Sequence, residues 1–261
     1  VASVSCIYGL GDPDEYNDFK VELHEGSEQN LRDLQRKLVS MQYSRNEIDL
    51  QRGTFRVRGD TLEIIPSDEE YVSRIQFWGD EIEKITIIDN LTGEIIDKKS
   101  SVSIFPAKHW VTSQERMVSA IKDIEIELEN RLKQLREQNK LLELQRLEQR
   151  TLFDIDLMKE TGTCPGIENY SRHLGRREEG SPPQTLIDYF PDDFITFIDE
   201  SHITLPQIRA MSSGDFSRKS TLVEYGFRLP SAIDNRPLKF EEFNERNRNV
   251  PWHRKLFKAS R

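Results

Sequence analysis

The stretch TFRVRGDTLEII, residues 54–65, has the pattern of a β-hairpin. Phe55 and Val57 alternate with arginines, so both apolar side chains point to one side of an extended strand. Gly59-Asp60 supplies a tight turn, after which Leu62 and Ile64 return to that side. The stretch therefore predicts two antiparallel strands that share one apolar face and leave Arg56 and Arg58 on the other.

Segments on both sides of the hairpin extend this pattern. Further strands are predicted at 74–78, 84–88 and 94–96, the last two joined across Asn90 to Gly93. Upstream, Leu31, Leu34 and Leu38 recur at helical spacing, with Ser27 as the predicted N-cap. From about Phe19 to Phe105 the sequence thus predicts an antiparallel α+β module.

The apolar spacing becomes helical from Thr112, which forms a predicted capping box with Glu115. One apolar stripe then follows a long helix: Met117, Ile121, Ile124, Leu128, Leu132 and Leu135. Asn139 can adopt the left-handed conformation that ends it, and residues 141–158 predict a second, antiparallel helix. We expect the stripe to pack on the chain's own core, and a coiled-coil dimer is the alternative.

The third stretch predicts a short helix at 185–189, a turn at Pro191-Asp192-Asp193 and an apolar run at 194–198. Such a run is typical of a buried parallel strand, and parallel strands indicate an α/β domain. The opening residues, Val1 to Cys6, alternate like another interior strand of that domain. The α+β module would then be an insertion.

Composition limits the class of protein. The 261 residues are 36% hydrophobic and 32% charged, which excludes a membrane-spanning or fibrous chain. The 37 basic and 46 acidic residues give a net charge of −9, so a nucleic-acid contact would need a local basic face. Two cysteines, Cys6 and Cys164, are too few for a disulfide scaffold and predict a reducing compartment and no structural metal.

The two ends of the chain have their own patterns. It begins with Val1, without a signal peptide, which predicts an internal fragment. The tail at 246–261 is basic and contains no acidic residue. We interpret it as a solvated or foreign tail rather than a nucleic-acid-binding arm.

Asp199-Glu200-Ser201-His202 directly follows the apolar run. If that run is a parallel strand, the two carboxylates lie at its carboxyl end, where open α/β sheets bind ligands. The four residues resemble the DExH box of helicase-type ATPases. From these residues alone, a solvated acidic loop stays open as the alternative.

Longer strings carry a more specific resemblance. They are CIYGLG at 6–11, GIENYSRH at 166–173, DYFPDD at 188–193, GFRLPSA at 226–232 and DNRPL at 234–238. Together they resemble the B-subunit family of the bacterial Uvr excision nuclease, over roughly residues 1–246. The resemblance implies an α/β helicase-like domain of the P-loop NTPase type, in two parts at 1–16 and 109–245. It also implies an inserted A-subunit-binding module at 17–108, a long helix pair, and a divergent tail at 246–261.

The function that this resemblance implies is verification of DNA damage in nucleotide excision repair, in the cytoplasm and without a membrane. The partners would be the A subunit, the C subunit and damaged DNA, and the full-length parent would use ATP and Mg²⁺. Within the DExH box, Asp199 would hold Mg²⁺ through water, Glu200 would be the catalytic residue that deprotonates the attacking water, and His202 would couple the nucleotide site to DNA. A transcription-repair coupling factor, present only as a protein-interaction module, is the alternative.

The sequence also departs from the family. No GxxxxGK[ST] motif occurs, so we expect the fragment to bind ATP poorly and to be inactive alone. The family's DNA-threading hairpin would lie upstream of Val1. Gln76 replaces a frequent glutamate, and Thr163 replaces an aromatic residue and cannot stack on DNA.

Two further groups of residues take roles from the resemblance. Four arginines would form the A-subunit surface: Arg45, Arg56, Arg58 and Arg74. Four residues would contact DNA: Trp110, Tyr170, Arg172 and His173. The competing interpretations are solvated strand arginines, a buried Trp110, and a packing corner in which Tyr170, Arg172 and His173 are satisfied within the fold.

Overall fold

The computed structural model describes residues 1–191 and 193–247. Its chain divides into two compact units. The sheet unit is Asp14–Val111, three residues longer at each end than the predicted module at 17–108. The helical unit combines Val1–Pro13 with the chain from Thr112 onward. Asp192 of the predicted turn, and the tail beyond Asn247, lie outside the described residues.

The sheet unit is built on a six-stranded sheet in which neighbouring strands follow chain order. Its strands are β2 (Ser44–Arg45), β3 (Thr54–Arg58), β4 (Thr61–Ile65), β5 (Val72–Trp78), β6 (Glu81–Ile88) and β7 (Ile95–Lys99). All pairs are antiparallel except β2 with β3. A separate antiparallel pair joins β1 (Val21–His24) to β8 (Ser101–Ile104), and α1 (Pro13–Asp18) and α2 (Leu31–Ser40) precede the sheet.

The predicted hairpin is confirmed with its register. Phe55 pairs with Ile64 and Val57 with Leu62 across β3 and β4. This inner face packs on α2, whose Leu34 and Leu38 are buried. The apolar alternation of a two-residue hairpin therefore defines the side of the sheet that carries the core.

The N-caps of two helices differ from the prediction. The side-chain oxygen of Asn30, not that of Ser27, accepts hydrogen bonds at the start of α2, from the amides of Arg32 (3.0 Å) and Asp33 (3.2 Å). Similarly, Ser113 rather than Thr112 caps α3. An N-cap side chain must lie two or three residues before the amides that it satisfies, and Ser27 is too far upstream.

Two long antiparallel helices, α3 (Gln114–Glu137) and α4 (Leu141–Thr161), open the larger part of the helical unit. Lys159 Nζ near the end of α4 lies 3.1 Å from Glu125 Oε1 in α3, which gives the antiparallel direction. Asn139, at φ +59°, ends the first helix in the left-handed conformation, as predicted.

The apolar stripe of α3 is mostly buried. Leu128 and Leu135 are buried, whereas Leu132 is only half-buried, contrary to the expectation for all three leucines. The prediction that the stripe packs on the chain's own core is thus correct for Leu128 and Leu135.

The rest of the helical unit contains short 3-10 helices and three α-helices. The predicted short helix is present as a 3-10 helix at Leu186–Tyr189, capped by Thr185. The α-helices are α5 (Ser171–Leu174), α6 (Ser201–Glu224) and α7 (Phe240–Arg246). Ile7, Ile208, Leu238 and Phe243 form one buried cluster that joins the start of the chain to α6 and α7.

Both predicted parallel strands are wrong. Residues 1–6 include the start of a 3-10 helix, Val4–Ile7, and residues 194–198 are irregular, with Phe197 74% exposed. A parallel strand needs hydrogen-bonding neighbours on the same sheet, and the described part of the helical unit contains no strand. The described residues therefore form a mixed α and β structure, and they contain no helicase-like parallel sheet.

Arg246 belongs to the folded helical unit rather than to a solvated tail. It forms an ion pair with Asp188, and its Nη2 donates to the carbonyl of Pro183 (2.8 Å). The described structure of the predicted tail is thus limited to the end of α7 and Asn247.

Candidate protein-docking face

The outer face of the sheet, opposite the core, carries a row of charged side chains. Arg56 on β3, Glu63 on β4 and Arg74 on β5 are direct cross-strand neighbours. Glu63 Oε2 lies 2.6 Å from Arg56 Nε, and its Oε1 lies 2.6 Å from Arg74 Nη2. Because the Glu63 side chain is only 6% exposed, these two arginines are held in place by a buried carboxylate.

The electrostatics of the row favour the ionised form of Glu63. Burial alone would raise the pKa of this carboxyl, but hydrogen bonds from Arg56 and Arg74 outweigh burial and lower the pKa. The side chains of the two arginines are 18% and 34% exposed. The prediction expected exposed arginines, whereas Arg56 and Arg74 are partly buried and each is paired with Glu63.

Arg58 is the exposed cation of this face. It lies two residues beyond Arg56 on β3, and its Nη2 donates to the carbonyl of Glu47 (3.2 Å). The adjoining row contains Thr61, the half-buried Gln76, and Lys84. Trp78, 79% exposed, follows at the end of β5.

Arg45 does not share this face. On β2 it pairs with Phe55, whose side chain belongs to the inner face, and its Nη1 donates to Gln35 Oε1 on α2 (3.3 Å). Its Nε also lies 2.6 Å from Glu47 Oε1. The expectation that all four guanidinium groups lie on one face is wrong, because the Arg45 side chain contacts α2 on the inner side of the sheet.

The other end of the outer face is apolar. Four buried side chains form a small cluster there: Leu50, Ile65, Val72 and Ile88. Asn90 Nδ2 donates to the carbonyl of Leu50 (3.1 Å) and fixes the covering loop. This cluster anchors the loop that carries Glu47, the residue that both Arg45 and Arg58 contact.

The DExH residues lie in an exposed turn before α6. Glu200 has a left-handed backbone at φ +44°, and its Oε2 lies 3.3 Å from His202 Nδ1. Asp199 Oδ1 accepts from the Glu200 amide (2.9 Å). All three side chains are exposed, so the structure brings Glu200 and His202 together without enclosing them.

A site for ATP and Mg²⁺ needs several groups that hold the phosphates and the metal ion. Within the described ranges, no cluster of three histidine, cysteine or acidic side chains is arranged to hold a metal ion. The Asp199 side chain accepts a hydrogen bond from the Glu200 amide, and its carbonyl accepts one from the Thr204 hydroxyl. Among the described residues, this turn therefore supplies two exposed carboxylates and an imidazole but no complete set of ligands for a metal ion.

Three of the four predicted DNA contacts pair with other side chains of the helical unit, where Tyr170 is buried and Arg172 and His173 are half-buried. The Tyr170 hydroxyl donates to Asp154 Oδ2 (2.9 Å), and burial raises the pKa of this phenol. Arg172 Nη1 lies 2.9 Å from Asp234 Oδ2, and His173 Nε2 lies 2.7 Å from Glu127 Oε2. Because their polar atoms already have protein partners, this arrangement gives Tyr170, Arg172 and His173 a structural role.

Glu127 is the centre of that arrangement. Burial would raise its pKa, but hydrogen bonds from His173 and the Ser231 amide lower it overall. It joins α3, α5 and the 3-10 helix Pro230–Asp234. The fourth predicted DNA contact, Trp110, is half-buried near the end of the sheet unit.

Both cysteines are free thiols. Cys164 is buried, and burial raises its pKa to about 12. At neutral pH the thiol is therefore protonated and a poor nucleophile.

Sequence reasoning missed Glu63 and Glu127. A two-residue turn at Gly59-Asp60 pairs position 56 with position 63, so the hairpin register could have placed Glu63 beside Arg56. No comparable signal identifies Glu127, because His173 and Ser231 are 46 and 104 residues away in the sequence.

The fold and its charged face define a class of protein: an antiparallel interaction module followed by a helical domain. Models of two such domains match the chain, the UvrB interaction domain at residues 21–110 and the UvrB third helical domain at residues 115–176. The chain belongs to the UvrB family. In the described ranges, no helix has both the length and the apolar character needed to cross a membrane.

Curated relatives agree with the domain models. The chain is 60% identical over 251 residues to UvrABC system protein B of Bacillus licheniformis, covering 96% of this chain and 38% of that protein. It is 59% identical over 251 residues to the protein of the same name from Caldicellulosiruptor bescii, again covering 96% and 38%. For Geobacillus kaustophilus the identity is 60% over 247 residues, covering 94% and 38%. The chain thus spans about two fifths of the length of these relatives.

Proposed function

We propose that this chain is the part of an excision-nuclease B subunit that docks on the A subunit in nucleotide excision repair. The observation that carries the proposal is the outer face of the interaction domain, where the Arg56–Glu63–Arg74 row adjoins the exposed Arg58. The matched models are those of the B subunit, so the coupling-factor alternative is not favoured.

The chemistry of the face suits an acidic protein surface. A guanidinium group forms two parallel hydrogen bonds to a carboxylate, and arginine is enriched at interface hot spots. Glu63 holds two guanidinium groups in fixed positions, so little side-chain entropy is lost when a partner binds them. Arg58 adds an exposed positive charge beside these two paired arginines.

The remaining roles belong to the full-length protein. We infer that it acts in the cytoplasm with ATP, Mg²⁺, the C subunit and damaged DNA. In that protein Asp199, Glu200 and His202 would complete a nucleotide site together with a phosphate-binding loop. We also propose that Trp110 contacts DNA in that protein. The proposed domain limits of this chain are 1–16 and 109–245 for the helicase-like domain and 17–108 for the inserted module.

Binding of the chain to the purified A subunit, with and without substitutions on the outer face, tests the docking role. The double change Arg56→Ala with Arg58→Ala should weaken affinity at least about tenfold, which is about 1.4 kcal/mol. Arg58→Ala alone should weaken binding while leaving the melting temperature nearly fixed, because the Arg58 side chain is exposed and, among the described residues, donates one hydrogen bond, to the carbonyl of Glu47. The double variant should also melt earlier, since Glu63 then loses a partner.

Lys37→Ala is the matched control, because Lys37 is an exposed cation on α2, on the other side of the sheet. Its affinity for the A subunit should stay within about twofold of the unchanged chain. Added salt should slow association, since charge steering is screened over roughly 10 Å at 0.1 M. Unchanged affinity of the double variant would return these arginines to a solvated strand face.

A further inference from the structure

A second basic surface lies between α2 and the edge of the sheet. It is a groove of about 620 Å³ lined by Arg32, Gln35, Arg36, Val39, Arg45 and Phe55. Three of the six lining residues are arginines and none is acidic. Its ligand must therefore be complementary to positive charge.

The arginines of this groove are weakly neutralised. Within the described residues, no carboxylate lies at ion-pair distance from Arg32. Arg36 Nη1 lies 2.9 Å from Asp33 Oδ1, but both side chains are more than 60% exposed, so that pair contributes little. Arg45 is the best neutralised of the three, through Glu47.

The groove also borders an open strand edge. β2 pairs only with β3 in the described sheet, and the amides of Ser44 and Asn46 donate to Gly53 and Phe55. The backbone of Arg45, between those two residues, faces the unpaired side of the strand. An exposed edge of this kind can bind an extended chain through main-chain hydrogen bonds.

We propose that this groove binds an extended acidic segment of the A subunit. The inference rests on the proposed function and extends the docking surface from the outer face, around Arg45, onto α2. Carboxylates of the segment would pair with Arg32 and Arg36, and an apolar side chain would cover Val39, which is 56% exposed. Glu47, bound to both Arg45 and Arg58, joins the two surfaces.

The lining favours a protein segment over nucleic acid. Single-stranded DNA is usually bound on exposed aromatic rings within a long basic track. The only ring lining this groove, Phe55, is 1% exposed and belongs to the core. The groove is also bounded by α2, a helix of ten residues, which limits the number of phosphates it could meet.

The test is affinity of the full 261-residue chain for the purified A subunit after Arg32→Glu and Arg36→Glu are combined. We expect at least about tenfold weaker binding. The helix should tolerate the change, since Arg32 is in its first turn, where an acidic side chain is favourable, and the Arg36–Asp33 pair that is lost is exposed and contributes little. Lys37→Glu is the matched control, because it reverses one charge on the same helix outside the groove, and its affinity should change by less than about twofold.

Arg58→Ala in the same assay separates this inference from the proposed function. If Arg58→Ala weakens binding and the groove variant does not, the groove inference is overturned and the docking role stands. If neither change matters, both are overturned. Should the charge-reversed variant fail to fold by circular dichroism, Arg32→Gln with Arg36→Gln replaces it and must weaken binding in the same direction. The inference would also be overturned if the combined Arg32→Glu and Arg36→Glu variant lost affinity for DNA while its affinity for the A subunit was unchanged.

Discussion

Glu63 joins two arginine side chains of the outer face, so its charge state affects the stability of the sheet unit. Its pKa is lowered on folding, which means that the folded state binds a proton less readily than the unfolded state. The resulting stabilisation is fully present above the unfolded value of about 4.3 and is lost as the pH falls through the lower folded pKa.

Glu63→Gln should therefore lower the free energy of unfolding at pH 7 by roughly 1.5 to 3 kcal/mol, because two charged hydrogen bonds lose their anion. The difference from the unchanged chain should begin to shrink below about pH 4.3, where the carboxyl of the unfolded chain becomes protonated, and shrink further as the pH falls through the lower folded pKa. Urea unfolding at several pH values measures both effects. Glu47→Gln is the control, since its pair with Arg45 is exposed and should contribute less than about 1 kcal/mol.

Among the secondary-structure elements, α3 and α4 pack along most of their length. The approach of α4 to the end of α6 depends on Gly226, which has φ +69° and whose added Cβ would overlap the carbonyl of Glu143. Arg146 on α4 reinforces this contact by donating to the carbonyl of Tyr225 (2.7 Å). The helix pair is thus fixed by contacts within its own unit.

Leu135→Ala and Leu128→Ala should each cost about 2 to 5 kcal/mol, because both side chains are buried. Leu132→Ala should cost clearly less, since this side chain is only half-buried. Thermal unfolding of the three variants measures whether Leu132→Ala is the least destabilised. A concentration-dependent dimer in sedimentation, lost on Leu132→Glu with the fold retained, would instead support the coiled-coil alternative.

At the scale of the whole molecule, the chain combines a net charge of −9 with local basic surfaces on the sheet unit. Its DExH residues are exposed carboxylates, and the sequence contains no phosphate-binding loop motif. In P-loop ATPases the amides and lysine of that loop supply most phosphate contacts. Two carboxylates without the loop repel a nucleotide.

We therefore predict that the 261-residue chain binds ATP with Mg²⁺ only weakly and shows no measurable hydrolysis. Calorimetry with ATP and Mg²⁺ measures the affinity, and a submillimolar dissociation constant would contradict the prediction. In the complete parent protein, Glu200→Gln should leave ATP binding intact and abolish turnover. Loss of turnover in the complete protein would show that Glu200 has a catalytic role there. The inactivity of the 261-residue chain would then be due to the missing phosphate-binding loop.

The sequence by itself determined the features that depend on neighbours along the chain. The hairpin at 54–65, the long helix pair and the left-handed Asn139 follow from local periodicity and turn chemistry. Helix starts were shifted by one to three residues, because Asn30 and Ser113 rather than Ser27 and Thr112 reach the free amides.

Tertiary structure decided what depends on residues far apart in the sequence. An apolar run such as 194–198 becomes a parallel strand only beside other strands, and the described helical unit provides none. Arg172 and His173 look like ligands of DNA in the sequence, yet Asp234 and Glu127, 62 and 46 residues away, bind them inside the fold. Periodicity reports which face of an element is apolar, whereas the partner of a charged side chain depends on which elements pack together.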